Sequence, residues 1–304
     1  MWRLLGRSHV VVRTEDDGRR LTPMPVHRIR RAMSVDAYRR ANIAAVWNRR
    51  FVELPGGRVE VESSPGDGER APLVFLHEGL GSIDLWRGFP GDVAERAGTP
   101  PVHVYSRHGY GRSAPAHLPR PVAYMHHEAD VVLPGLLAAL GVQRPVLIGH
   151  SDGASIALLY AGAGHDVAGI VCLAAHAFVE PESLAGVAAA RVTFESTDMA
   201  EKMTRYHDDP TATFRGWNDV WGSPDFRSWN IEDRLPGIRC PMLVVQGTAD
   251  EYGTVAQVEA IASGVTVPVD RLVLDGVGHS PHLEQRQEVA EAIAVFVRSL
   301  DDRA

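Results

Sequence analysis

From position 51 onward the chain alternates short, nearly unbroken apolar runs with longer amphipathic stretches. APLVFLH (71–77), PVHVYSR (101–107), VLIGH (146–150), GIVCLAA (169–175), PMLVVQG (241–247) and DRLVLDG (270–276) are rich in Val, Ile and Leu. Runs without polar alternation read as strands buried on both faces. Stretches 122–140, 152–163, 254–263 and 281–300 fall between them and have amphipathic helical character. FVELPGGRVEVES, from Phe51, reads as a hairpin turning at Pro55-Gly56-Gly57. Strands that alternate with helices predict an α/β fold, a largely parallel sheet with helices on both faces.

Two regions break the pattern. Residues 177–235 hold no buried strand but carry Phe178, Phe194, Phe214, Trp217, Trp221, Phe226 and Trp229 among polar residues. A strand-poor, aromatic-rich insertion between two sheet strands reads as a helical cap. Residues 1–33 show no period, are rich in Arg and contain the breakers Pro23 and Pro25. Residues 34–49 read as a helix with Ser34 as N-cap. The predicted organisation is an arm and helix at 1–49, a core at 50–176 and 236–304, and a cap at 177–235. The arm is a candidate contact for a homo-oligomer.

With 45% apolar residues in 304, a sizeable core can be buried. The net charge of -7 gives no basic field, so a nucleic-acid partner is not expected. Positive charge gathers at the start: residues 1–50 hold twelve Arg and four acids. Lys202 is the only lysine, a bias that coding composition explains as readily as function. Cys172 and Cys240 lie in apolar runs and read as buried core thiols of a reducing compartment. No run of eighteen apolar residues and no signal-peptide pattern is found, so the expectation is no membrane span and a cytoplasmic protein.

The chemistry gathers at strand ends. Gly149-His150-Ser151-Asp152-Gly153 follows one strand and opens a helix. A sharp strand-to-helix turn crowds the backbone, and glycines on either side of a serine let it project as a nucleophile. A serine needs a base. His279, in the loop after 270–276, is the candidate, with His282 as its neighbour and rival. With fourteen histidines in the chain, its position rather than its type selects it. A carboxylate must orient the base. Asp250, past the strand 241–247, is the candidate, with Glu251 and Asp275 as alternatives. HEGLGS (77–82) follows 71–77 and supplies Gly79, whose backbone N–H with that of Asp152 would form an oxyanion hole. Glu78 would place a charge beside that oxyanion, so its side chain is expected to point away or to pair, with Arg107 and Arg112 as the candidate partners. Glu78, His150, Phe178, Trp217 and Trp221 are the candidate pocket residues.

HGYGRSAP (108–115) follows a strand as a dinucleotide fingerprint does, but Pro115 forbids the required helix, so no nicotinamide cofactor is expected. His126-His127-Glu128 lacks an evident third ligand and reads as a solvated helix face. Neither a metal nor any other cofactor is expected.

HEGLGS, SRHGYGRS, GHSDGAS, QGTADEYG and GVGHSPH, in this order, resemble the α/β-hydrolase superfamily over about residues 50–300. The resemblance implies an eight-stranded, mostly parallel sheet with a cap after the sixth strand. It also implies a Ser151–Asp250–His279 triad with Gly79 and Asp152 as oxyanion donors. HEGLGS with GHSDGAS and the Trp-rich cap further resembles hydrolases of bacterial aromatic-compound breakdown. The chain departs from the usual pattern in having Glu78 after His77, and in the leader 1–49. The expected function is a serine hydrolase of an ester or thioester with an apolar or aromatic acyl group. Carbon–carbon cleavage of a ring-fission product and a non-catalytic ligand-binding role are the alternatives.

Overall fold

The computed structural model describes residues 47–66 and 70–301. The leader and most of the helix expected at 34–49 lie outside these residues. The end of that expected helix is corrected: Asn48 and Arg49 belong to the first strand.

The hairpin forms as expected, β1 (Asn48–Leu54) against β2 (Gly57–Ser64). Six further strands follow: β3 (Leu73–Leu76), β4 (Val102–Ser106), β5 (Val146–His150), β6 (Gly169–Leu173), β7 (Met242–Gly247) and β8 (Val269–Leu274). They make one eight-stranded sheet in the order β1-β2-β4-β3-β5-β6-β7-β8. β2 runs antiparallel to both of its neighbours, and all pairings from β4 to β8 are parallel.

The helices are α1 (Phe89–Arg96), α2 (Tyr124–His127), α3 (Leu133–Leu140), α4 (Asp152–Gly162), α5 (Pro181–Ser196), α6 (Met199–Met203), α7 (Pro210–Trp221), α8 (Val255–Gly264), α9 (Pro281–Glu284) and α10 (Arg286–Asp301). α1 was not expected; Pro90 and Gly91 mask it, although Pro is well placed in a first helical turn. The stretch 122–140, expected as one helix, is widened at Glu128–Val132 into a π turn. Pro134 has no N–H to give to the preceding turn, and the wider turn absorbs that loss.

Side chains alternate along each strand and feed two cores. Val74 and Leu76, with Leu147 and Ile170, pack against α4 on one face. Leu73 and Phe75, with Ile148, Val171 and Val245, pack against α1 and α10 on the other. Cys172 and Cys240 are buried free thiols. Between β6 and β7 lie α5, α6, α7 and two short 3-10 turns, with a single strand-like bridge, Phe178 to Asn230.

The strand order places the site. β4 lies on one side of β3 and β5 on the other. The connections leaving β3 and β5 therefore diverge, and a crevice opens at their carboxyl ends, where α/β sheets hold ligands.

Candidate active site

Ser151 stands between β5 and α4 with φ 51° and ψ −117°. A non-glycine residue in that region carries about 1–3 kcal/mol of strain and persists only where its surroundings enforce it. The surroundings are backbone. A Cβ on Gly153 would lie 2.0 Å from the Leu76 carbonyl oxygen, and one on Gly149 would lie 2.4 Å from the Ala154 nitrogen. The glycines therefore let α4 begin against the end of β3 and turn Ser151 outward. Ser151 donates its own N–H to Leu173 of β6 at 2.9 Å.

His279, in the loop after β8, faces Asp250 in the loop after β7. Its Nδ1 lies 2.9 Å from Oδ1 and 2.8 Å from Oδ2. Asp250 also accepts from the Tyr252 N–H at 2.8 Å and from Gln246 Nε2 at 2.8 Å. Burial alone would raise the Asp250 carboxyl; the bond and charge of His279, with the Tyr252 and Gln246 donors, outweigh it and hold the pKa below the ordinary value. With Nδ1 committed to the carboxylate, Nε2 is the nitrogen left to take a proton. Ser151 and His279 line one cavity of about 90 Å³, together with Glu78, Gly79, Leu80, His176, Val187, Trp217, Trp221 and Tyr252.

Of the two residues expected to donate to an oxyanion, Gly79 lines this cavity and Asp152 follows Ser151, which also lines it. Asp152 is the first residue of α4, so its N–H has no partner within the helix. Gly79 lies in the loop after β3, packed so closely under Trp217 that a Cβ would stand 2.2 Å from Nε1. The Asp152 carboxylate is fully buried, accepts from Tyr124 Oη at 2.5 Å and lies 3.6 Å from Arg107 Nη2. Burial raises its pKa against the opposing pull of Arg107.

The Glu78 expectation is corrected. Its Oε2 lies 3.3 Å from His150 Nδ1, not on an arginine. Arg107 gives its guanidinium to backbone carbonyls and Asp152, while Arg112 pairs with Asp208 at 2.5 Å. Burial would raise the Glu78 carboxyl, but the His150 bond and the neighbouring rings hold it well below the ordinary value.

His150 itself does not line the cavity. It is buried behind it, with Nε2 2.8 Å from the His279 carbonyl oxygen, because alternation along β5 turns it away from Ser151. Phe178 is also absent from the lining, since its backbone is tied to Asn230 and to Gln257 and its ring packs on the core. Trp217 and Trp221 do line it. The rival base His282 is buried against Trp86, Phe89 and His150, and burial holds its pKa well below the ordinary value. Asp275 bonds Thr248 Oγ1 at 3.1 Å.

Leu80, His176, Val187 and Tyr252 were missed. His176 had a readable signal, since it follows β6 at the same sheet edge as the other site residues. Burial, and then the nearby His279, push its pKa down to about 3, so it is a neutral imidazole in the wall.

Glu128, expected on a solvated face, is buried at the π turn, whereas His127 is exposed. Among the described residues no group of three or more His, Cys, Asp or Glu could hold a metal ion, and no helix is long and apolar enough to cross a membrane.

Residues 73–292 match the sequence pattern of the alpha/beta hydrolase family. Over 113 residues the chain is 28% identical to human (lyso)-N-acylphosphatidylethanolamine lipase, covering 36% of this chain and 32% of that one. The chain thus spans about a third of the length of that curated relative. Among solved structures, a bacterial membrane phospholipase A superposes with TM-score 0.71 at 19% identity, over 88% of this chain and 90% of that one. An N-acyl homoserine lactone degrading enzyme superposes with TM-score 0.60 at 28% identity, over 81% and 100%.

Proposed function

Because the chain belongs to the alpha/beta hydrolase family, we propose that it is a serine hydrolase of esters or thioesters acting through Ser151, His279 and Asp250. The observation that carries the reading is the strained Ser151 sharing a cavity with a His279 whose Nδ1 is held by Asp250.

The chemistry follows from these positions. His279 Nε2 takes the Ser151 proton as Oγ attacks the substrate carbonyl. The carbonyl electrons move to oxygen, and the Gly79 and Asp152 N–H groups receive the oxyanion. Asp250 stabilises the imidazolium that forms. As the tetrahedral species collapses, the alcohol or thiol leaves with the His279 proton and the acyl group stays on Ser151. Water then attacks the acyl carbon as the same nitrogen takes its proton, and that proton passes to Ser151 Oγ as the bond to the acyl group breaks and the acid leaves.

The helices between β6 and β7 supply Val187, Trp217 and Trp221 to the cavity wall and serve as its cap. A volume of about 90 Å³ is below the ~150 Å³ of a cavity known to admit benzene. It supports a compact apolar group beside Ser151. The name of the human relative, a lipase, supports an acyl–oxygen bond.

Intact mass after exposure to a fluorophosphonate tests the reading. One adduct on the wild type and none on Ser151→Ala is expected. No adduct on either would remove the catalytic assignment and leave a ligand-binding role. The substrate panel that follows includes a 1,3-diketone, whose cleavage in place of every ester would move the assignment to carbon–carbon hydrolysis.

A further inference from the structure

Arg107 follows β4 and is fully buried. The reaction above gives it no direct part. Yet its guanidinium and its backbone N–H reach only the two segments that carry the oxyanion donors for their hydrogen bonds and ion pair, while its carbonyl accepts from the Tyr110 N–H at 3.0 Å. One guanidinium nitrogen donates to the His77 carbonyl. Another, Nη2, donates to the Glu78 carbonyl at 3.0 Å and lies 3.6 Å from Asp152 Oδ2. The Arg107 backbone N–H donates to His77 Nε2 at 3.0 Å. That bond makes Nε2 an acceptor, so the ring proton is on Nδ1, which donates to the Glu78 carbonyl at 2.7 Å. The Gly81 N–H adds a third donor to the same oxygen at 3.1 Å.

The Glu78 carbonyl is therefore anchored by three donors, one of them a buried cation. In a planar trans peptide the C=O and N–H point in opposite directions. Anchoring the Glu78 carbonyl toward Arg107 turns the N–H of the same peptide, that of Gly79, the other way, and Gly79 itself lines the cavity. The second donor, the Asp152 N–H, sits on the residue whose carboxylate lies 3.6 Å from Arg107 Nη2 and also accepts from Tyr124 Oη.

We infer that Arg107 is the positioning residue of the oxyanion site: one buried guanidinium holds the Gly79 and Asp152 N–H groups at a fixed separation and direction. The inference rests on the serine-hydrolase reading above. A charge buried between two loops could equally be a brace for folding, and the two roles differ in what they do to kinetics. A brace alters the amount of folded enzyme. A positioning residue alters binding of the tetrahedral anion and leaves ground-state binding alone.

The test uses the full chain with Arg107→Lys, Arg107→Met and Asp152→Asn. Near-ultraviolet circular dichroism establishes folding, and fluorophosphonate titration counts working sites. Per titrated site, kcat and KM are measured on p-nitrophenyl butyrate, with the inhibition constant of butylboronic acid, whose Ser151 adduct presents a boronate oxygen to the donors. Arg107→Met should lower kcat about 10²-fold, weaken the boronate by a similar factor and leave KM within about twofold. Arg107→Lys should recover part of both losses. Asp152→Asn keeps the N–H and the shape but removes the charge, and should show the same split at about tenfold. It carries the test if neither arginine variant folds. Folded variants with unchanged kcat, or with losses that fall on KM and spare the boronate, would overturn the inference alone. A wild type that neither hydrolyses an ester nor takes up the fluorophosphonate would overturn the serine-hydrolase reading with it.

Discussion

The turn at Ser151 and the helices that face it are built by opposite means. At the turn, backbone meets backbone: Gly149 and Gly153 leave no room for a Cβ, and Ser151 is forced to positive φ. Among the helices, side chains do the holding. Arg191 Nε bonds Asn218 at 2.8 Å, Asn218 Nδ2 bonds the Val187 carbonyl at 2.8 Å, and Phe194 stacks on Phe214 at 3.9 Å. On the outer side of α5, Val192 is 65% exposed. A backbone-locked turn has one geometry or none. Side-chain contacts admit graded substitution.

The sharpest way to break this contrast is at the turn. Ser151→Ala removes only the hydroxyl and should lower kcat by about 10⁴–10⁶ with the unfolding midpoint unchanged. Near-normal turnover of p-nitrophenyl esters would end the assignment. Gly153→Ala should be worse for the molecule as a whole, because its Cβ would meet the Leu76 carbonyl oxygen at 2.0 Å and neither backbone can yield. Loss of more than about 4 kcal/mol of stability is expected, with insoluble protein or a midpoint far below wild type. Gly216→Ala, in α7, is the matched control. There the Cβ meets Leu118 Cδ2 at 3.0 Å and Arg120 Nε at 3.2 Å, the ends of flexible side chains. A fold that tolerates both alanines equally would show that the turn is not locked.

Acid sharpens the same comparison through the histidines. His77, His176 and His282 surround the turn and the base, all buried. Burial, with Arg107 beside His77 and His279 beside His176, lowers each of their pKa values below the ordinary 6.5. Groups with depressed folded values bind protons first in the unfolded chain. Their contribution is complete above about pH 6.5 and is lost as pH falls toward the folded values. Stability should therefore drop between pH 6.5 and 5, above the carboxylate range, by up to about 1.4 kcal/mol per pH unit for each such histidine. Urea unfolding at stepped pH measures it, and a flat profile over that window would contradict the burial of these rings as neutral species.

The same contrast explains what could be read from sequence. The turn is five adjacent residues between an apolar run and a helix, so a local pattern carries it. β3 to β7 were legible as near-continuous apolar runs because inner strands of such a sheet bury both faces, whereas β8, read in the same way, is an edge strand that leaves Asp270, Arg271 and Val273 exposed. Order along the chain singles out Asp250 and His279, each following a strand, and the structure brings His279 Nδ1 to 2.8 Å from the Asp250 carboxylate. The cavity wall was not legible. Val187, Leu80 and Tyr252 are apolar residues that read as core wherever they stand, and only their spacing across three elements brings them together. Phe178 was chosen for its type and lies elsewhere. The partner of Glu78 was misjudged because charge matching among side chains cannot reveal that Arg107 faces backbone carbonyls, whose direction depends on peptide orientation.

The smallest effect belongs to the wall and tests its adjustability most directly. Val187 is 2% exposed, lies in α5 and lines the cavity together with Trp217 and Trp221. Val187→Ala removes two methyl groups' worth of wall in a cavity of about 90 Å³. An added methylene in an apolar pocket is worth about 1–3 kcal/mol of discrimination. The preference among p-nitrophenyl acetate, butyrate and hexanoate should shift toward the longer chains by about tenfold in kcat/KM. The fluorophosphonate reaction of Ser151 should be nearly unchanged, because the turn does not depend on this side chain. A uniform loss across the three esters would mean that α5 supports the site mechanically, and the division between a rigid chemical turn and an adjustable wall would fail.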